Sequence, residues 1–169
     1  SWYYTDDIAV HETIIGATEP KKVIKKSVEI TKEDLEQANF ERVEQITLLV
    51  DIRSNIRGKV GARIRSPFGV VSELATFRPS DFNTEGFRGW TFMSVAHWGE
   101  SGVGKWDVEV FTEELAADGV QITFNEFQLR LFGELIDPEK AEKYDITKDY
   151  AAERRDKAKQ PTTSTTEAA

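Results

Sequence analysis

The chain has 169 residues, 39% apolar and 31% charged, with a formal net charge of −8. That length closes one sizeable core with tails, and the acidic balance argues against nucleic-acid phosphate or an anionic membrane surface as the main partner, since both require a basic face. Having no cysteine, the chain cannot form disulfides, thiolate metal sites or a cysteine nucleophile; it has no apolar run long enough to span a bilayer and no signal-peptide pattern.

In chain order, residues 1–25 read as a lead-in that begins at Ser1 as though cut from a longer polypeptide, with Trp2, Tyr3 and Tyr4 as an aromatic cluster. Lys26 to Ile30 reads as a short strand. Thr31-Lys32-Glu33-Asp34, followed by Leu35 and Ala38 at helical spacing, predicts one capped helical turn. From Val43 the period becomes two: Ile46, Leu48, Val50 and Ile52 alternate with Thr47, Leu49, Asp51 and Arg53. Asn55 to Gly58 turns the chain into a strand through Val60, Ala62 and Ile64. Ser66-Pro67-Phe68-Gly69 is a tight turn, and Val70 to Ala75 returns as its partner. Further strands are expected at Trp90 to His97, around Trp106 to Val110, at Val120 to Phe124 and at Phe127 to Phe132. About eight short strands at this spacing imply an all-β jelly-roll sandwich or barrel. The domain is expected over 26–136. The charged and Thr-rich residues 137–169 have the composition of a disordered tail or the start of a stalk.

Catalytic chemistry is hard to find. His11 and His97 are the two histidines, and no Gly-x-Ser-x-Gly elbow accompanies them. His97 reads either as a base or as a structural group that orients the turn with Trp98, Gly99 and Glu100 by hydrogen bonds. Asp81 to Gly86 begins like a calcium loop, but Phe92 stands where a bidentate glutamate is required, which leaves a solvated polar loop or a weak cation site. Arg57-Gly58-Lys59 reads as a recognition turn or as a plain hairpin tip with wet charges. The aromatics fall mostly on inward parity, which favours core packing over stacking on sugar rings. Leu49, Phe111 and Phe132 have the opposite parity and are the candidates for contact with another domain.

One long run is distinctive: Phe77-Arg78-Pro79-Ser80-Asp81-Phe82, then Glu85 to Val95 continuing through Ala96-His97-Trp98-Gly99-Glu100, and Gly104-Lys105-Trp106. With Ser66 to Gly69 before it and Leu129 to Gly133 after it, this pattern closely resembles the P domain, or Homo B domain, of the kexin and furin proprotein convertases, with the fungal kexins nearest. The likeness covers about Val43 to Gly133, and Trp2 to Tyr4 is similar to the segment by which kexins enter this domain. Many animal convertases carry Arg-Arg-Gly-Asp where Arg57-Gly58-Lys59 stands, so no Asp-dependent role follows.

The resemblance implies a non-catalytic jelly roll that stabilises and tunes an adjacent subtilisin-like, calcium-dependent serine endopeptidase cutting after paired basic residues. The partner is then the catalytic domain of the same polypeptide, not nucleic acid, and this fragment carries no membrane span. Calcium belongs to the parent protease, with no cofactor in this chain. The expected location is the lumenal side of the late Golgi and secretory pathway, in a membrane-anchored parent. A carbohydrate-binding jelly roll is the alternative. Arg154-Arg155 reads as solvated charge or as a site where such a parent trims its own tail.

Overall fold

In a computed structural model that describes residues 1–16, 23–112 and 119–140, the alternating segments form nine antiparallel strands in two sheets. They are β1 (Trp2–Tyr4), β2 (Ile8–Ile15), β3 (Val23–Ile30), β4 (Phe40–Ser54), β5 (Gly61–Arg65), β6 (Val71–Ala75), β7 (Phe87–Ser94), β8 (Gly104–Phe111) and β9 (Gln121–Leu135). The first sheet has the order β1-β9-β4-β7, with β2 also on β9; the second has the order β3-β8-β5-β6. Ile46, Leu48, Val50, Phe127, Leu129 and Leu131 of the first sheet meet Ile24, Ile64, Trp106, Val108 and Val110 of the second in a single buried cluster. The fold is the expected all-β sandwich. One helix, α1 (Lys32–Gln37), closes an end: Thr31 Oγ1 accepts from the Asp34 N–H at 3.2 Å while the Asp34 carboxylate accepts from the Thr31 N–H at 2.9 Å.

Three expectations change. Residues 1–16 are not merely a lead-in: β1 and β2 are hydrogen-bonded to β9, and a boundary at residue 25 falls inside β3. The two strands expected at 120–124 and 127–132 are one continuous β9. Its inward residues change from Ile122 and Phe124 to Phe127, Leu129 and Leu131, because a register shift near Asn125 flips the parity without turning the chain. Order also continues past residue 136: Asn39 Nδ2–H donates to the Asp137 carbonyl at 2.9 Å and Asn39 Oδ1 accepts from the Asp137 N–H at 2.8 Å, ahead of a 3₁₀ turn at Pro138–Lys140. At the same corner the Ser1 ammonium donates to the Gly133 carbonyl at 2.8 Å and Ser1 Oγ donates to the Ala38 carbonyl at 2.6 Å.

The turn after β5 closes as expected. Gly69 takes φ +84° and donates its N–H to the Ser66 carbonyl at 2.9 Å, which leaves Phe68 at the exposed tip. The free edges β6 and β7 belong to different sheets yet lie together, bridged by a 2.8 Å contact between the Ser72 and Ser94 hydroxyls.

Candidate functional site

β7 ends at Ser94, and the chain turns inward so that His97 lies between the two sheet edges, fully buried. Its Nε2 is 2.7 Å from Ser72 Oγ, and its ring packs edge-on against Trp106, with centroids 5.2 Å apart. On the other side Nδ1 is 3.5 Å from Glu100 Oε1, which accepts from Ser66 Oγ at 3.1 Å. Backbone bonds fix the turn: Gly99 N–H donates to the Val43 carbonyl and Val43 N–H to the Glu100 carbonyl, both at 2.8 Å. Trp106 Nε1–H reaches the Gly102 carbonyl at 2.9 Å. A hydroxyl, an imidazole and a carboxylate thus stand in series, the connectivity of a hydrolytic relay. Ser72 and His97 are both buried, which leaves the series without an exposed face in this structure. Burial holds the His97 imidazole below its ordinary pKa, with the Glu100 carboxylate pulling the other way.

The Arg57 to Gly86 region is a clasp. Arg57 Nε–H donates to Asp81 Oδ2 at 2.6 Å, and the guanidinium lies 5.0 Å over the Trp90 ring. Gly58 donates to the Asp81 carbonyl and accepts from the Arg78 N–H, each at 2.9 Å; a Cβ at this position would run into the backbone carbonyls of Arg78 and Asp81. Arg57-Gly58 is therefore neither a wet hairpin tip nor a free recognition turn. Arg57 also holds the Asp81 carboxyl below the usual carboxylate range. Asn83 Oδ1 is spent on the N–H groups of Glu85 and Gly86. The side-chain oxygens of Asp81 and Asn83 are engaged by Arg57 and by the loop's own backbone, and among the described residues no group of three or more His, Cys, Asp or Glu is arranged to hold a metal ion.

The outer faces of the two sheets differ sharply in chemistry. On the first sheet, strand register sets Trp2, Phe132 and Gln45 in one row, then Tyr4, Arg130, Thr47 and Met93, then Gln128, Leu49 and Thr91. Trp2 packs on Phe132 at 4.7 Å between centroids. Arg130 alone among these residues is charged, and its guanidinium lies 5.5 Å over Tyr4 with Nε–H donating to Gln128 Oε1 at 2.9 Å. The apolar surface continues past Met93 (63% exposed) and Val95 (60%) to Trp98 (66%). On the second sheet the rows read Lys25, Glu109, Arg63 and Glu73, then Ser27, Asp107, Arg65 and Val71, then Glu29 and Lys105. These charges pair: Arg63 with Glu109, Lys25 with Asp107 at 3.6 Å and Lys105 with Asp107 at 3.8 Å.

Leu49 and Phe132 therefore share one face, half-buried, whereas Phe111 lies on the opposite sheet under the Arg63 guanidinium at 4.5 Å and the edge of Phe77 at 5.7 Å. Trp2, Tyr4 and Met93 complete the first face and escaped the parity argument. Met93 and Val95 sit out of phase with Trp90 and Phe92, a signal that was present but unused. Arg154 and Arg155 lie outside the described residues. Among the described residues, no helix is long and apolar enough to cross a membrane.

The family model described as "Proprotein convertase P-domain" matches residues 43–131. Kexin from Candida albicans is 54% identical over 165 residues, covering 92% of this chain and 18% of that protein. Kexin from Saccharomyces cerevisiae is 41% identical over 144 residues, covering 85% of the chain and 17% of that protein; bovine furin is 31% identical over 125 residues, covering 72% and 15%. The chain thus spans less than a fifth of the length of these relatives. Among solved structures, a serine protease of Aeromonas sobria superposes with a TM-score of 0.58 at 15% identity, over 79% of this chain and 27% of that one, which supports the fold.

Proposed function

The chain belongs to the proprotein convertase P-domain family, and from that membership we propose that it braces a subtilisin-like, calcium-dependent serine endopeptidase in the same polypeptide, which processes proproteins after paired basic residues on the lumenal side of the late secretory pathway. Calcium in this reading belongs to the catalytic domain.

One observation carries the bracing role: the rows around Phe132 and Leu49 on the first sheet's outer face are aromatic, aliphatic and amide-rich with a single stacked arginine, and charge returns only beyond them at Glu126, Asp51 and Arg88, while the second sheet's outer face is laddered with charge. Contacts between domains of one chain usually bury roughly 600–1,500 Å² and reject unpaired charge. A few hundred Å² of apolar burial at about 25 cal/mol per Å² amounts to several kcal/mol before ordering costs. A partner that binds only the folded protease shifts its folding by mass action, and a marginal domain has only about 5–15 kcal/mol to lose. Leu49 and Phe132 are the contact residues of this reading, joined by Met93.

The test is Leu49→Asp, Met93→Asp and Phe132→Asp in the full-length protease, with circular dichroism of the same changes in the 169-residue chain. Active protease should fall several-fold while the chain keeps its β spectrum. Undiminished protease in all three variants would overturn the contact face. The trimming reading for Arg154-Arg155 rests on the paired bases alone; mass spectrometry of the mature parent showing a tail intact past Asp156 would dismiss it. Lys25-Lys26, by contrast, is held in β3 against β8 and is not available as an extended substrate.

A further inference from the structure

The Ser72–His97–Glu100 series draws on both sheets. Ser72 comes from β6 and Ser94 from β7, the free edges of different sheets; His97 and Glu100 come from the turn after β7, and Ser66 from the turn before β6. Two buried polar atoms within it, His97 Nδ1 and Glu100 Oε2, have no hydrogen-bond partner. The 3.5 Å gap between Nδ1 and Glu100 Oε1 is slack beside the 2.7 Å contact at Nε2.

We propose that Ser72, His97 and Glu100 form a proton-operated latch between the sheet edges, whose state sets the position of the exposed Val95–Trp98 turn. With the imidazole neutral, Ser72 donates to Nε2, Nδ1 carries the ring proton, and the gap to Glu100 stays open at 3.5 Å. When Nε2 takes a proton from solvent, the ring becomes cationic and both nitrogens donate. Ser72 Oγ then accepts from Nε2–H and turns its own proton to Ser94 Oγ, while Nδ1–H draws in the Glu100 carboxylate and loosens the bond from Ser66. Glu100 is tied through its backbone to Val43, and Trp98 N–H to the Val95 carbonyl at 3.3 Å, so the shift is carried into the turn.

The groups facing the ring are the Ser72 hydroxyl from β6, the Ser94 hydroxyl behind it from β7 and the Trp106 indole from β8, with Ser66 acting through Glu100; Glu100 is the ionised group that acts on the imidazole. Burial outweighs Glu100 and lowers the folded affinity for the proton. The sign follows: stability is complete above the ordinary value of 6.5 and is lost as pH falls through the lower folded midpoint. Acid therefore trips the latch and loosens the domain together. Val95 and Trp98 border the proposed docking face, so control of partner contact by the latch rests on that reading. The latch itself is measured without the partner, and its failure leaves the docking reading untouched.

The experiment is histidine and amide NMR of the 169-residue chain from pH 7.5 to 5, with His11→Gln separating the signal of exposed His11. His97 should titrate below 6.5, the Trp98, Gly99 and Glu100 amides should move with the same midpoint, and Gly99 exchange should quicken by about fivefold across it. His97→Gln should erase that midpoint from the amide shifts, and Glu100→Gln should move it lower. His97 titrating while the turn amides stay still would overturn the latch, as would amides that keep the midpoint in His97→Gln. If His97→Gln fails to fold, the unmodified chain alone decides.

Discussion

The outer faces of the two sheets start from the same strand geometry and diverge in chemistry. In the second sheet nearly every outward position of β8 and β5 carries a charge that meets its opposite on the next strand, which satisfies the face within the chain and keeps it wet. In the first sheet the outward rows through Phe132, Arg130 and Leu49 carry rings, a leucine, a threonine and amides, with Arg130 folded flat onto Tyr4, and charge returns only at the far end, at Asp51, Arg53 and Glu126. The lesson is that parity alone does not mark a contact face. Phe111 and Phe132 both point away from the core, but Phe111 stands at the margin of a charged ladder and is already covered, whereas Phe132 stands in an uncharged row.

The comparison presumes that both faces ride on one core. Trp106→Ala, which removes a fully buried ring touching His97, should cost about 3–5 kcal/mol and lower a single urea midpoint with unchanged slope; two separate transitions would mean that the sheets are not one unit. Next in size, Phe132→Ala and Phe111→Ala should each cost the isolated chain about 1–2 kcal/mol, through lost contact with Trp2 in one case and with Arg63 and Phe77 in the other. Only Phe132→Ala should lower the yield of active protease; equal losses in a pulse-chase assay would erase the distinction. A smaller effect tests the orientation of β1. Tyr3 points inward opposite Leu131, and burial, then Asp34 and Asp6, push its phenol up to about 12. Its contribution is complete below pH 10 and is lost as pH rises through about 12. In a 295 nm titration, Tyr3→Phe should delete the late phenol; if it survives, β1 is turned over and the aromatic row collapses. Smallest is the ladder: Arg63→Gln should cost about 1 kcal/mol or less, and the difference should shrink in about 1 M salt, whereas Leu49→Ala should show no such salt dependence.

Much of the architecture was legible because period-two alternation is a local signal. Ile46 to Ile52, Val60 to Ile64 and Phe127 to Leu131 read correctly, as did the Thr31–Asp34 cap. Bulges defeated the rest. β2 was hidden because its alternation breaks at His11, where φ is +50° and the register against β9 slips. β9 was split because its parity flips near Asn125. The site was half legible for a similar reason. Leu49 and Phe132 announce themselves by phase, but assigning Phe111 to the other face requires the strand order. The partner of His97 on β6 is the hydroxyl of Ser72, distant in sequence, and no spacing rule connects the two.

The corner where Ser1 meets Gly133 and Asn39 grips Asp137 has a mechanical consequence. Tension applied between residue 1 and residue 137 would be borne by those few bonds and would bypass the packed interior. The domain hangs beside the line of force and adds almost no length to the polypeptide it belongs to. Stretching should peel β1 from β9 first, at low load, and leave the sandwich intact.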